Sequence, residues 1–411
     1  MNKKYSYGLF DVGNSAYLIV TLSFIFGPYF AKEIVGDIQL GSAYWQWTSG
    51  AVGILVALTA PFIGSYADHV ANGRIKVLIV STVLTVLINA LFWFSEARDS
   101  FIVYTLIIFF LSSYFFEISN ASYNSLLRDS SNKKDEIGRT SGLGYALGYI
   151  GIVPFLLFIL LFIIKTDEPI LNLQKENFEH VRFIAILVSF WFFIFAIPMM
   201  TFFWKGKKSK KEKYTSIKDI KKIIWNKKLT TTGKFLIARM FYADAVIAMQ
   251  TGGGVYAVGV HGFNFKELIS VLIVGNLVAG VFTYIGGYLN DKFNSKMIIM
   301  WSIAALILSV FAIVFSPSKE FFFFSLLLVA AVIGPLQSAS RTLMSRISPQ
   351  NTQGKSFGLY ALSSKATAFV GPLMAGTITY FVSQQAGFAS ISILFLLSLF
   401  MLSKLKLDNK N

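Results

Sequence analysis

Apolar residues in this chain come in long unbroken runs separated by short polar breaks. Phe101–Leu111, Ile150–Ile164 and Phe321–Gly334 are three such runs. Each lies in a stretch long enough to cross roughly 30 Å of hydrocarbon as a helix. Run length read against polar breaks predicts twelve spans, near 8–31, 45–67, 76–95, 101–127, 141–164, 181–204, 233–257, 267–289, 297–315, 320–343, 356–382 and 387–404. The expected class is an all-α membrane protein.

Composition agrees with that class. Hydrophobic residues fill 55% of 411 positions and charged residues only 14%, and mean hydropathy is +0.61. A soluble domain of this size needs more polar surface than that. The first apolar stretch carries Asp11 and Asn14, which predicts a retained first helix rather than a cleaved leader. With no cysteine in the chain, disulfides and thiolate metal sites are excluded.

Charge narrows the picture further. The net charge of +16 does not indicate nucleic acid, because eleven lysines fall between Lys205 and Lys228, in a break between apolar spans. Loops that stay in the cytoplasm collect lysine and arginine in this way. Within the block, Ile217, Ile220, Ile223 and Ile224 recur at helical spacing, suiting either a solvated loop or a helix lying on an anionic leaflet. Arg74, Lys76, Arg128, Lys133, Lys134, Arg139, Lys292, Lys296, Arg346 and Lys355 fall in breaks on the same predicted side, which puts both termini in the cytoplasm. Trp45, Trp47, Trp204 and Trp225 sit near span ends, where an interfacial belt is expected.

The two halves echo each other. Gly64-Ser-Tyr-Ala-Asp68 follows the second predicted span and Gly287-Tyr-Leu-Asn-Asp291 the eighth, an offset of 223. Gly138-Arg-Thr-Ser-Gly142 opens the fifth and Gly354-Lys-Ser-Phe-Gly358 the eleventh, an offset of 216. Two repeats in register predict a duplicated fold. The expected units are a bundle over 1–204, a basic linker over 205–232 and a second bundle over 233–411.

Gly64, Asp68, Gly73 and Arg74, in GSYADHVANGR, resemble the loop motif between the second and third helices of the major facilitator superfamily. His69 stands where a basic residue is usual, and one extra residue precedes Gly73. The second half keeps Gly287, Asp291 and Lys292. The resemblance implies a fold of twelve transmembrane helices as two pseudo-symmetric six-helix bundles, with Gly64, Asp68, Arg74, Gly287, Asp291 and Lys292 as gating structure. A narrower likeness is to the UMF1 or Atg22-like (vacuole effluxer-like) branch. GLFDVGNSAY (Gly8–Tyr17), ARMFYADAVIAM (Ala238–Met249) and GRTSGLGYALGYIG (Gly138–Gly151) are similar to that branch's first, seventh and fifth helices. It implies export of a small solute and a setting in a bacterial inner membrane.

Five charges are read as truly intramembrane: Asp11, Glu117, Arg239, Asp244 and Lys365. A charge at a helix centre costs roughly 2.5–3.5 kcal/mol on insertion scales, so each is expected to be paired or to line a cavity. Ser113, Glu117, Asn120, Asn124 and Arg128, at steps of four, three, four and four, make one polar stripe on the fourth helix, which must face the interior. Glu117, near mid-span, is the first candidate for a proton- or cation-linked carboxylate. Asp11 and Asn14 share a face of the first helix, and Arg239 precedes Asp244 on the seventh. Gln250 opens a Gln-Thr-Gly-Gly-Gly run expected to weaken that helix and expose carbonyls, or else to pack closely. Lys365 is placed to hold a substrate carboxylate or to pair with Glu117 or Asp244. For every one of these residues, an interhelical bridge that merely fixes the bundle competes evenly with a role in transport.

The expected function is therefore secondary active transport of a small polar or zwitterionic, amino acid-like solute by a monomer. Alternating access is driven by a proton or by sodium, with lipid around the protein and no cofactor or metal. A lipid or lysolipid flippase of the same fold is the alternative, and a non-transporting sensor or scaffold comes from another class. A membrane enzyme fails for want of a histidine cluster, a zinc motif or a phosphate loop.

Overall fold

The computed structural model describes residues 2–131, 133–164, 173–204, 217–263 and 265–407. Among these the chain is almost wholly helical. The first passage, α1, is Lys3–Ala16, continued through π-helical and short helical turns to Ile34. Then come α2 (Ile38–His69), α3 (Gly73–Ala90), α4 (Ile102–Ser125), α5 (Ile137–Ile159) and α6 (Glu179–Trp204). The second half supplies α7 (Thr231–His261), α8 (Phe265–Phe293), α9 (Ser295–Val314), α10 (Lys319–Ile347), α11 in two segments (Gln353–Lys365 and Val370–Phe381) and α12 (Gln384–Ser403). Ten helices among the described residues are long and apolar enough to cross a membrane. The remaining two positions of the fold are filled by α7 and the broken α11.

Two separate cores organise these helices. One gathers buried side chains from Tyr7 to Met200, the other from Phe235 to Leu405. The halves meet chiefly through α2 against α11 and α5 against α8. Glycine makes both approaches possible. A Cβ on Gly64 would overlap the Gly354 carbonyl, and one on Gly142 would lie 2.6 Å from the Gly287 Cα. These are four of the six repeated glycines of the sequence, and they sit where backbone meets backbone across the halves.

Three local expectations are corrected. The run Gln250–Gly254 does not interrupt α7, which continues helical to His261. Each glycine costs only about 1 kcal/mol of helix propensity, less than packing supplies. The break falls instead in α11, predicted as continuous, at Ala366–Phe369. Pro372 falls in the first turn of the segment that follows, where its missing amide costs no helical bond. Trp45 is not interfacial: it is buried and stacks on Phe109 with ring centroids 3.7 Å apart. Trp47, Trp204 and Trp225 are exposed as expected.

Part of the lysine-rich block, 205–216, lies outside the described residues. Its remainder folds as the short helix Ile217–Ile224 and a hairpin pairing Trp225 with Leu229. Ile223 and Ile224 pack against the second core, which ties this segment to the protein.

Candidate functional site

The two copies of the Gly–Asp repeat form a latch at the end of the molecule that carries both termini. Asp68, at the end of α2, accepts the backbone amides of Gly354 and Lys355 at 2.9 Å each. Asp291, at the end of α8, accepts those of Gly138 and Arg139 at 2.7 and 2.8 Å. Each carboxylate thus caps the first turn of a helix in the opposite half, meeting free amides and the positive end of the helix dipole. Arg74 holds Asp68 at 2.7 Å and reaches Asp129 at 3.3 Å and the Gln350 carbonyl at 2.7 Å. In the second copy Arg346 takes that part, 2.7 Å from Asp291. Lys292, assigned to the motif from sequence, lies over the Phe293 ring instead. Its side chain leaves the helix on the next face round from Asp291, whereas Arg346 approaches from α10.

Deeper in the bundle a second set of contacts joins the halves. Asp11 of α1 lies 3.4 Å from Arg341 of α10 and accepts the Tyr123 hydroxyl at 2.6 Å. Asn14 adds to its hydrogen bonding. Arg341 also donates to the Asn124 amide oxygen at 3.2 Å, to the Ser141 hydroxyl at 3.0 Å and to the Ser141 carbonyl at 2.8 Å. Its guanidinium sits against the rings of Tyr7, Tyr123 and Tyr145, at 4.1 Å from the last. Gly144 leaves room for all of this: a Cβ there would be 2.5 Å from Asp11 Oδ2 and 3.0 Å from Arg341 Nη2.

Further along α4, Glu117 pairs with Lys365 of α11 at 2.8 Å. The two side chains keep 17% and 30% of their surface, so this pair is reachable where the Asp11–Arg341 pair is not. Asn120, Tyr145 and Tyr149 are likewise only partly covered. The α4 stripe therefore faces inward along its length: Ser113 meets the Tyr17 hydroxyl, Glu117 meets Lys365, Asn124 meets Arg341 and Arg128 reaches the Ser348 carbonyl.

Arg239 and Asp244 do not pair with each other. Arg239 donates to the Tyr360 carbonyl and the Ser363 hydroxyl at 2.6 Å each and lies 3.4 Å over the Tyr360 ring. Asp244 is buried beside Thr367. Gln250 is exposed.

Sequence reasoning missed Arg341, the largest fully buried side chain of the chain's described residues. It stands near the end of an apolar run, five residues before Arg346, where basic residues read as loop. The duplicated register carries the missed signal. Arg128 and Arg346 are 218 apart, and the same offset puts Arg341 opposite Tyr123. Ser338, Arg341, Thr342 and Ser345 then form a buried polar stripe on α10 matching the one on α4.

The family described as vacuole effluxer Atg22 like matches residues 34–411. An uncharacterized MFS-type transporter, YxiO, of Bacillus subtilis (strain 168) is 25% identical over 97% of this chain and 92% of its own length. Autophagy-related protein 22-1 of Penicillium rubens is 24% identical over 59% of this chain and 44% of its own. Among solved structures, the human organic anion transporter MFSD10 (TETRAN) superposes with a TM-score of 0.74 at 12% identity, covering 97% of this chain and 98% of that one. The major facilitator superfamily transporter FucP in the outward conformation gives 0.74 at 13% identity, over 99% and 98%.

Proposed function

The chain belongs to the vacuole effluxer Atg22-like family of major facilitator transporters, and on that premise we propose that it carries a small zwitterionic, amino acid-like solute. The observation behind this reading is the Glu117–Lys365 pair, which is partly open, near mid-span, and built from α4 of one half and α11 of the other. A zwitterion presents one carboxylate and one ammonium. It can replace each partner of the pair with its own opposite charge, so neither Glu117 nor Lys365 is left unpaired in a medium where an unpaired charge is expensive.

In this reading the protein sits as a monomer in the inner membrane of a bacterium, with both termini and the lysine-rich loop in the cytoplasm. The end latched by Asp68 and Asp291 is then the cytoplasmic one, and solute reaches the pair from outside. Releasing the latch rocks the halves and turns the site inward. The work comes from a proton or sodium gradient. The driving ion and the direction of net flux are parts of the proposal.

Counterflow in liposomes over a panel of amino acids, organic acids, sugars and lysolipids tests it. Expected is exchange of one or more amino acids, lowered about tenfold or more in apparent affinity by Lys365→Met, as for removal of one charge-assisted partner. Wild-type affinity in that variant would remove Lys365 from the site. Exchange of lysolipid alone would turn the assignment to a flippase. One feature gives that alternative its footing: Phe369, Leu373, Tyr380 and Phe381, on or beside the outer segment of α11, are all exposed.

A further inference from the structure

Asp244 is the interior acid for which the described residues supply no cation. It lies on α7 with 2% of its surface exposed, and its Oδ1 has no hydrogen-bond partner. The two nearest interior cations on its side of the molecule are engaged elsewhere, Arg239 with Tyr360 and Ser363 and Lys365 with Glu117. The polar group beside Asp244 is Thr367, whose hydroxyl is within hydrogen-bonding reach of the carboxylate. A buried carboxylate oxygen left without a partner is costly in hydrocarbon.

Thr367 sits in the gap between the two segments of α11. There the Ala366 amide still reaches the Leu362 carbonyl, while the Val370 amide turns back to Thr367. The carbonyls of Ser363, Ser364 and Lys365 accordingly accept no amide from the turn ahead. Gly371 lets this region come against α7, since a Cβ there would be 2.5 Å from the Asp244 carbonyl oxygen. One carboxylate and one hydroxyl are thus brought together as hard oxygen donors bearing a single negative charge.

The geometry points to a binding site for a small monovalent alkali cation, sodium being the physiological one, between Asp244 of α7 and Thr367 of the α11 gap. A monovalent ion neutralises the lone carboxylate and gives its unpartnered Oδ1 a partner. A divalent ion is disfavoured, because calcium takes six to eight oxygens with several carboxylates, and no group of three or more acidic, histidine or cysteine side chains occurs among the described residues. An ion joining α7 to α11 also fixes the segment that carries Lys365, which gives sodium a route to the solute pair. The inference rests on the transporter reading only for that last step.

The test uses the full chain in lipid nanodiscs without solute. Binding of radioactive sodium, and melting temperature in sodium chloride against choline chloride at equal ionic strength, are measured for wild type, Asp244→Asn and Thr367→Val. The surface variant Glu320→Gln serves as control. Expected is saturable sodium binding with a matching rise in melting temperature. Asp244→Asn should weaken it about tenfold or more and Thr367→Val should weaken it less, as site charge and ligand number dictate. Sodium and choline acting alike in the wild type, or Asp244→Asn binding sodium as the wild type does, overturns the site. A response to pH alone, with none specific to sodium, assigns Asp244 to a proton and also overturns it. Sodium binding without counterflow of any solute would leave the site standing and remove the transport reading, and solute counterflow with no sodium response would do the reverse.

Discussion

Asp11–Arg341 and Glu117–Lys365 join the same two halves with the same pairing of charges, yet they are built differently. In the first pair the side chains keep 6% and 1% of their surface, and the guanidinium makes four hydrogen-bonding partners and lies against three tyrosine rings. In the second they keep 17% and 30%, and the ammonium meets a single carboxylate at 2.8 Å. The difference separates two uses of charge in a membrane. A fully enclosed pair gains from every added dipole and is hard to exchange. A pair left partly open costs less to separate and can hand its partners to a solute.

The largest expected effect breaks the enclosed pair. Arg341→Gln leaves Asp11 buried without its cation and is expected to lower stability by about 3–5 kcal/mol, the usual cost of removing one partner of a buried pair. Lys365→Met should cost less than that, because Glu117 keeps part of its surface open and is not stranded as Asp11 would be. Unfolding in mild denaturant, followed by tryptophan fluorescence, compares the two. Similar losses would mean that burial does not distinguish them. The double variant Asp11→Asn, Arg341→Gln sharpens the result, since removing both charges should recover part of the loss.

Glycine supplies a smaller and more local comparison. An alanine at Gly144 places its Cβ 2.5 Å from Asp11 Oδ2 and 3.1 Å from the Tyr123 hydroxyl, so Gly144→Ala should cost about 1–3 kcal/mol, as overpacking does. The matching position beside the open pair is Gly53, whose Cβ would lie 3.8 Å from the Lys365 Cβ, in ordinary contact. Gly53→Ala is expected to change stability by no more than about 0.5 kcal/mol. Melting temperatures of the two variants decide it, and a severe loss at Gly53 would show the open pair to be as tightly seated as the enclosed one.

The open pair was more legible in the sequence than the enclosed one, for a physical reason. Glu117 and Lys365 interrupt apolar runs near their middles, where hydrocarbon leaves few reasons for a charge. The α4 stripe announced its own face through steps of three and four residues. Asp11 was legible on the same ground, but its partner was not. Arg341 stands one and a half turns from Arg346 at the end of a span, where the bias of loops toward basic residues hides an interior one. The repeated glycines were legible because backbone contact admits no side chain, and the structure puts them at the contacts between halves. The break in α11 lies just before Pro372, and the sequence pattern around Gln250–Gly254 drew attention to the wrong helix. Propensity reads local cost, whereas a missing amide removes a bond outright.

Whether the two pairs open together is read from conformation rather than from stability. Both cross the halves, so both must part or slide when the latched end opens. Asp68→Asn and Asp291→Asn each keep the side chain's shape and one acceptor while removing the charge at a helix start, for a loss of about 1 kcal/mol. That is too little to unfold the protein and enough to move a two-state equilibrium about fivefold. Because the chain has no native cysteine, spin labels can be placed at single introduced cysteines on Lys76 and Lys292, exposed positions at the latched ends of α3 and α8. Distances between them in nanodiscs are expected to lengthen in a larger fraction of molecules in either variant, and in a still larger fraction with both. If the enclosed pair is the stronger hinge of the two, adding Arg341→Gln should raise that fraction further, while adding Lys365→Met should raise it less. The reverse order would assign the holding role to the open pair and make Asp11–Arg341 a packing feature of the closed end.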